Sequence, residues 1–137
     1  MTLDVHVLRL QPGDDLRGAL EAAFRDLHAA GAPAAACVVS AVGSLSQAVL
    51  RYAAEPQGDL QVEALELLTL SGTLGMGGVH LHASVADARG GVSGGHVMPG
   101  CVVRTTAEIV LALLPGWSFE RALDAGTGFK ELVARRL

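Results

Sequence analysis

The sequence predicts an α+β domain: a mostly antiparallel β-sheet with one main helix near the N-terminus and a short C-terminal helix. Three observations lead to this fold class. Many short apolar or alternating segments are separated by glycines, one segment alone has a clear helical period, and no repeat or linker divides the chain. A chain of 137 residues can bury roughly two thirds of its unfolded surface, so we expect a single domain over residues 1–137.

The N-terminal part of the chain contains the first strand and the main helix. Residues 3–10 alternate between apolar and polar side chains, which predicts a strand that ends at the following Gln-Pro-Gly. Asp14 or Asp15 can then cap a helix over residues 16–30, where apolar side chains recur every three or four positions. Gly31 is expected to end that helix.

Three further strands are expected in the middle of the chain. Residues 36–42 are rich in β-branched and small apolar side chains, and residues 46–52 alternate, so we expect two strands joined by a turn at Gly43. Residues 61–74 form a longer apolar stretch that contains Gly72, and a glycine inside a strand often marks a bend. This stretch is predicted to be one bent strand.

The C-terminal half begins with a hairpin. Residues 79–86 and 91–98 flank a glycine-rich reversal, which is typical of two antiparallel strands joined by a tight turn. Residues 102–114 predict one long strand, and residues 117–123 predict an edge strand. Residues 129–133 are expected to form the short C-terminal helix, of a turn or two.

The charge balance disfavours nucleic acid and membrane surfaces as partners. Acidic residues outnumber basic ones by 14 to 10, giving a net charge of −4, whereas DNA and anionic lipids attract basic surfaces. The five aromatic rings are too scattered in sequence to form a base-stacking platform. The N-terminal segment is too polar for a signal sequence and no apolar run reaches membrane length, so we expect a cytoplasmic protein.

Three of the five histidines are expected to converge on the predicted hairpin. His80 and His82 are two positions apart on one strand, so their side chains leave the same face. If the turn centres on Arg89, His82 pairs directly with His96 on the second strand. Three imidazoles suit a divalent metal such as zinc and leave one coordination position open. His6 and His28 have no such partners and are expected to have ordinary structural roles.

Four other side chains are candidates for a fourth ligand or a base: Glu66, Asp87, Cys101 and Glu108. No spacing singles out one of them. For Glu66 and Glu108 the favoured interpretation is a polar strand position that faces solvent or a neighbouring subunit. Asp87 precedes a glycine pair, where aspartate commonly hydrogen-bonds its own backbone and forms a turn. Cys101 and Cys37 have apolar neighbours and are expected to be buried thiols.

Several motifs, in this order, resemble those of the plants-and-prokaryotes-conserved domain family, which also occurs beside AT-hooks in plant nuclear proteins. The most specific part is His-Leu-His-Ala-Ser followed by Gly-Gly-His. The matching segments are Ala41–Leu45, Leu65–Thr73, His80–Ser84, Gly94–His96, Thr105–Glu108 and Phe119–Arg121. Their order and spacing agree with the family pattern over most of the chain.

The resemblance implies an α+β fold assembled as a homotrimer, with a metal role for His80, His82 and His96 and no established reaction. A trimer would also cover the apolar strand at residues 109–114, which has few polar side chains for a solvated edge. Relatives are often labelled DNA-binding proteins. The Arg-Gly-Arg-Pro AT-hook is absent here, however, and the chain is acidic, so DNA is possible but disfavoured as a partner.

Three functions from different classes therefore remain open. The first is a trimeric module of unassigned biochemical role that binds a divalent metal, with zinc as the expected ion. The second is a DNA-binding or regulatory protein, as the family label suggests. The third is a metal-dependent hydrolase, with the histidines as ligands and Glu66 or Glu108 as the base.

Overall fold

A computed structural model describes residues 2–137, which form one helix and nine strands. The mostly antiparallel α+β class predicted from the sequence is confirmed. The elements in chain order are β1 (Asp4–Leu10), α1 (Leu16–Ala29), β2 (Ala35–Arg51), β3 (Asp59–Gln61), β4 (Leu65–Gly75), β5 (Gly78–Ala86), β6 (Val92–Val97), β7 (Val102–Leu113), β8 (Trp117–Leu123) and β9 (Lys130–Arg136).

One large sheet contains seven of the strands, and its named pairs are all antiparallel. The strand order is β1-β7-β2-β4-β5-β6, and β3 pairs with β2 beside this path. Strand β6 also pairs with the end of β2, so β2, β4, β5 and β6 form a closed circuit of paired strands. Strands β8 and β9 form a separate hairpin.

Helix α1 packs against β4 and β5. Its N-cap is Asp15, whose carboxylate accepts the backbone N–H of Gly18 at 2.8 Å and that of Gly100 at 2.6 Å. The helix buries Leu16, Leu20 and Phe24. These side chains join the leucines, valines and isoleucine of the sheet in one core.

Strand β2 differs from the prediction of two strands joined by a turn at Gly43. It continues from Ala35 to Arg51, with irregular register against β7 on both sides of this glycine. A Cβ atom at position 43 would collide with the Thr106 carbonyl and the backbone of Ala107. The glycine therefore permits the close approach of β7 and does not reverse the chain.

The predicted C-terminal helix is wrong: residues 130–136 form strand β9, paired with β8 along its whole length. Half-buried and exposed side chains alternate at the start of β9, which is the period of a strand. Gly128, at φ +76°, and the Asp124 carbonyl, which accepts two backbone N–H groups, form the turn before it. A five-residue apolar pattern cannot distinguish these two outcomes, because the partner strand decides between them.

The β8–β9 hairpin is attached next to the turn between β4 and β5. The backbone N–H of Phe119 donates to the Ala34 carbonyl at 3.1 Å, and the Phe119 carbonyl accepts the N–H of Met76 at 3.3 Å. A Cβ atom at Gly75 or Gly77 would collide with the backbone of β8, so these two glycines allow the hairpin to lie this close. Within residues 2–137, no helix combines the length and the apolar character that a membrane span requires.

Candidate metal centre

Strands β5 and β6 bring three histidines to one face of the sheet. His82 pairs with His96 in the register between these strands, as predicted, and His80 lies two positions before His82 on β5. The turn at residues 87–91 fixes this register. The Asp87 carboxylate accepts the backbone N–H groups of Arg89 and Gly91, each at 2.8 Å, so the turn-forming interpretation of Asp87 is confirmed.

We call His80, His82 and His96 the histidine cluster. The ring centroids are separated by 5.0 Å for His80 and His82, 5.1 Å for His80 and His96, and 5.7 Å for His82 and His96. One nitrogen from each ring lies within 4.8 Å of the others. In a tetrahedral zinc site, bonds of about 2.0–2.1 Å put ligand nitrogens about 3.3 Å apart. Side-chain rotations that shorten these distances would bring the three nitrogens to the spacing that one ion requires.

Strand β4 supports the cluster from the other side of β5. Thr73 is the cross-strand partner of His80, and Ser71 is the partner of His82, so two hydroxyl side chains line the cavity beside the imidazoles. Gly72 lies between them at φ +153°, and a Cβ there would collide with the carbonyl of His80. Gly72 is therefore needed at this position, because any larger residue would push β4 away from the backbone of His80.

Burial keeps two of the imidazoles neutral near pH 7. It lowers the pKa of His96 to about 4, with further contributions from His80, when that residue is protonated, and from the positive charge of Arg51. Burial also lowers the pKa of His80, and the neighbouring Arg121 adds to the effect. A neutral imidazole has a lone pair available for a metal, so His80 and His96 would not need to lose a proton for an ion to bind.

A second cavity, of about 430 Å³, adjoins the cluster at His80 and His96. The other side chains that line it are Arg51, Ala54, Arg121, Phe129, Lys130 and Glu131. Sequence reasoning missed Arg51, Arg121, Lys130 and Glu131. Arg51 could not be found from local pattern, because its position follows from the long-range pairing of β2 with β6. The other three lie on the β8–β9 hairpin, whose second strand was predicted as helix.

The structure places the other candidate residues elsewhere. Glu66 and Glu108 line a different cavity, with Ser44, Arg104 and Thr105 among its other residues. Cys101 is buried against Val49, whose backbone N–H lies 3.3 Å from its sulfur. Cys37 is a half-buried free thiol. Within residues 2–137, the histidine cluster is the one group of three or more potential ligands close enough to share an ion.

The two histidines outside the cluster, His6 and His28, contact only elements of the fold and, within residues 2–137, no other histidine. The Nδ1 atom of His28 is 3.0 Å from the Ala32 carbonyl just beyond α1, and its ring stacks on Phe24. His6 is half-buried on β1, opposite Leu111. Neither residue belongs to the group that could hold a metal.

Residues 1–115 match the model of the Plants and Prokaryotes Conserved (PCC) domain. Two curated relatives are the bifunctional proteins GlmU of Synechococcus strains JA-2-3B'a(2-13) and JA-3-3Ab. They are 51% and 50% identical over 131 residues, which is 96% of this chain in each case. The chain spans about a fifth of the length of these relatives, 20% in each comparison.

Three solved structures have the same fold over almost the whole chain. A hypothetical protein from Salmonella cholerae-suis is 37% identical with a TM-score of 0.91, covering 98% of this chain and 95% of that one. A metal-containing protein from Archaeoglobus fulgidus is 30% identical with a TM-score of 0.75, covering 95% and 93%. A candidate DNA-binding protein from Ralstonia eutropha JMP134 is 25% identical with a TM-score of 0.76, covering 93% and 89%.

Proposed function

The chain belongs to the Plants and Prokaryotes Conserved (PCC) domain family, and from this premise we propose that it is a homotrimeric module that binds one divalent metal ion per chain through His80, His82 and His96. The observation that carries the proposal is the register that pairs His82 with His96 and brings three imidazole nitrogens within 4.8 Å of one another. The archaeal structure described as metal-containing supports the same function.

Zinc is the proposed ion. Three imidazoles are a common ligand set for zinc, and they suit it better than calcium or magnesium, which prefer oxygen ligands. With three protein ligands, a fourth coordination position would stay open for water or another ligand. An ion held in this way supplies Lewis acidity at that position.

The trimer has support from a different part of the structure than expected. Ile109, Leu111 and Leu113 of β7 are already buried within one chain, so this strand does not itself need a partner subunit. Five large exposed apolar side chains lie instead on β1, β2 and β4: Val5, Val7, Val39, Val42 and Leu68. A subunit packed against these strands would remove their apolar surface from water.

Light scattering of the purified protein tests the trimer. We expect a mass of three times the 14.1 kDa chain, and a smaller mass for Val42→Glu, which replaces one of these exposed apolar side chains with a charged one. Val62→Glu is the matched control, because Val62 is also exposed but lies in the loop between β3 and β4. A monomeric mass for the unchanged protein contradicts the trimer and leaves the metal proposal standing.

Metal analysis of untagged protein tests the metal site. The expected result is about one equivalent of metal per chain, with little or none retained by His80→Ala, His82→Ala and His96→Ala. His82 is the exposed member of the cluster, so its substitution disturbs packing least. His6→Ala is the matched control, since it removes an imidazole outside the cluster. Equal metal content in His6→Ala and His82→Ala would contradict the site.

Metal-dependent hydrolysis is a second candidate function, and one observation favours it. Glu131 is a half-buried carboxylate in the lining of the same cavity as His80 and His96, where it could accept a proton from attacking water. Glu66 and Glu108, the bases expected from the sequence, lie in another cavity. A screen of phosphate and carboxylic esters would support hydrolysis if activity disappears in Glu131→Gln while the metal content is unchanged.

DNA binding is a third candidate, favoured by the description of the Ralstonia relative. The net charge of −4 opposes it. A mobility-shift experiment at low salt is decisive, because phosphate contacts are strongest there. Absence of a shift under these conditions would exclude DNA as a direct partner of this chain.

A further inference from the structure

Basic side chains line the cavity of about 430 Å³ that adjoins the histidine cluster. Arg51 is the cross-strand partner of His96 between β2 and β6, so both residues leave the same face of the sheet. Arg121 and Lys130 reach the same cavity from the β8–β9 hairpin. Three of the ten basic residues therefore line one cavity in a chain whose net charge is −4.

Within residues 2–137 none of these three cations forms an ion pair, since the ion pairs there are Arg17 with Glu21 and Arg135 with Glu120. Of the described residues, Glu131 is the one carboxylate in the lining of the cavity. Arg51 donates to the Glu55 carbonyl at 3.4 Å, and Arg121 donates to the Lys130 carbonyl at 2.6 Å. Each guanidinium has five N–H donors, so most of them remain available to a ligand.

The nearby Arg17 shows the opposite arrangement. Its guanidinium donates to the Glu21 carboxylate at 3.1 Å and to the backbone carbonyls of Val97 and Val79 at 3.0 and 3.1 Å. These bonds tie α1 to β5 and β6, which is a structural role. In the described part of the chain, the side chains of Arg51 and Arg121 each make one hydrogen bond and no ion pair. Their positive charges also repel each other across the cavity, and a bound anion would relieve that repulsion.

We propose that this cavity binds a small anion, whose carboxylate or phosphate group lies between the metal held by the histidine cluster and the guanidinium groups of Arg51 and Arg121. The inference rests on the proposed metal-binding function. Arginine forks match the geometry of both oxyanions, and the ion attracts the same group.

The cavity also indicates the rest of the ligand. Its volume of about 430 Å³ suits a small molecule. Phe129, which is 68% exposed, and Ala54 provide an apolar wall beside the cations. Glu131 on the same wall would repel a second acidic group. The expected ligand therefore has one oxyanion group on a small apolar body, for which benzoate and phenyl phosphate are suitable probes.

Cobalt-loaded protein provides the test, because the visible spectrum of Co²⁺ changes when a new ligand enters its coordination shell. We expect saturable spectral changes with benzoate or phenyl phosphate, and none with the neutral analogue benzamide. The two anions distinguish a carboxylate ligand from a phosphate ligand. Bound Co²⁺ with no response to either anion overturns the anion site alone. Failure to take up Co²⁺ contradicts the metal centre and the anion site together.

Arginine variants separate a binding role from a structural one. Arg51→Gln and Arg121→Gln are expected to bind the responding anion at least about tenfold more weakly, since each loses a charge-assisted hydrogen bond. Their Co²⁺ affinity should be equal or higher, because a positive charge near the ion is removed. A structural role would weaken Co²⁺ and anion binding alike, and that result contradicts the proposal.

Two further variants complete the design. Arg89→Gln makes the same change in net charge on the exposed β5–β6 turn and should leave anion binding unchanged. Lys130→Gln keeps the backbone carbonyl that Arg121 uses, so it should fold normally and weaken anion binding. Equal weakening in Arg89→Gln and Lys130→Gln would mean a general charge effect and overturn the site. Displacement of benzoate by short duplex DNA at low concentration would also overturn it, in favour of a nucleic-acid surface.

Discussion

Two polar regions on the same sheet were candidates for chemistry, and they differ in how their side chains are arranged. The histidine cluster consists of three imidazoles on adjacent strands whose nitrogens lie within 4.8 Å of one another. The second region, which we call the carboxylate patch, contains Glu66, Glu108, Arg104, Ser44 and Thr105 around a cavity of about 360 Å³. Its residues line one cavity, but they do not form a group close enough to share a metal.

Register accounts for the difference. In the cluster, direct pairing of His82 with His96 and the two-residue spacing of His80 place all three side chains on one face of neighbouring strands. In the patch, Glu66 lies on β4 and Glu108 on β7, and β2 separates them. Polar residues on a sheet therefore become a candidate metal site when adjacent strands present the ligands in register. Presence on the same face is not enough.

The largest expected effect comes from disturbing the backbone under the cluster. Gly72→Ala forces a Cβ against the carbonyl of His80 at a positive φ, so β4 and β5 must separate beside a cluster histidine. We expect a loss of about 3 kcal/mol in the free energy of unfolding, with weaker metal binding. Urea unfolding and metal titration measure both quantities.

Gly78→Ala is the matched control for this substitution. Gly78 also has a positive φ, +112°, but a Cβ there would have no neighbour within 4 Å. Only backbone strain is then expected, about 1 kcal/mol, with metal binding preserved. Equal losses of unfolding free energy and of metal binding in the two variants would show that backbone strain alone explains both effects. The close contact between Gly72 and His80 would then have no special role in supporting the cluster.

A smaller effect is expected in the carboxylate patch. The buried Ser44 hydroxyl lies 2.5 Å from the Thr105 hydroxyl and accepts the backbone N–H of Thr105 at 3.2 Å. Ser44→Ala removes both bonds and should lower the free energy of unfolding by about 1–2 kcal/mol. Metal content should not change, because the patch and the cluster share no residues.

Thr69→Val is a useful comparison for the patch variant. The Thr69 hydroxyl forms a similar pair with Ser84 at 2.6 Å, but that pair is exposed. Water can replace its bonds, so the expected loss is below that of Ser44→Ala. A larger loss in Thr69→Val would contradict the importance of burial in the patch.

Most of the fold could be predicted from local pattern, because alternation and glycine positions identify the strands directly. The cluster could be predicted as well, since its three histidines lie within one hairpin whose turn sets the register. Arg51 could not, because its position beside His96 depends on a pairing between β2 and β6 that no local signal records. The strand β9 was missed for the same reason: its partner β8, and not its own sequence, determines its conformation.

The smallest expected effect is a pH dependence that belongs to the cluster. Burial lowers the pKa of His96 to about 4 in the folded chain, whereas an unfolded histidine has a pKa near 6.5. Between these values the unfolded chain binds more protons, so the free energy of unfolding of metal-free protein decreases as the pH falls from 6.5 toward 4. His80, whose pKa is also lowered by burial, adds to the decrease in the same direction.

Because His96 is only half-buried, solvent screening should limit its contribution to about 1 kcal/mol. Urea unfolding of chelator-treated protein at a series of pH values measures the slope. His96→Asn should flatten the profile between pH 4 and 6.5, whereas His6→Asn, outside the cluster, should keep the wild-type shape there. Identical profiles in the wild type and His96→Asn would show that proton binding at His96 is not coupled to folding.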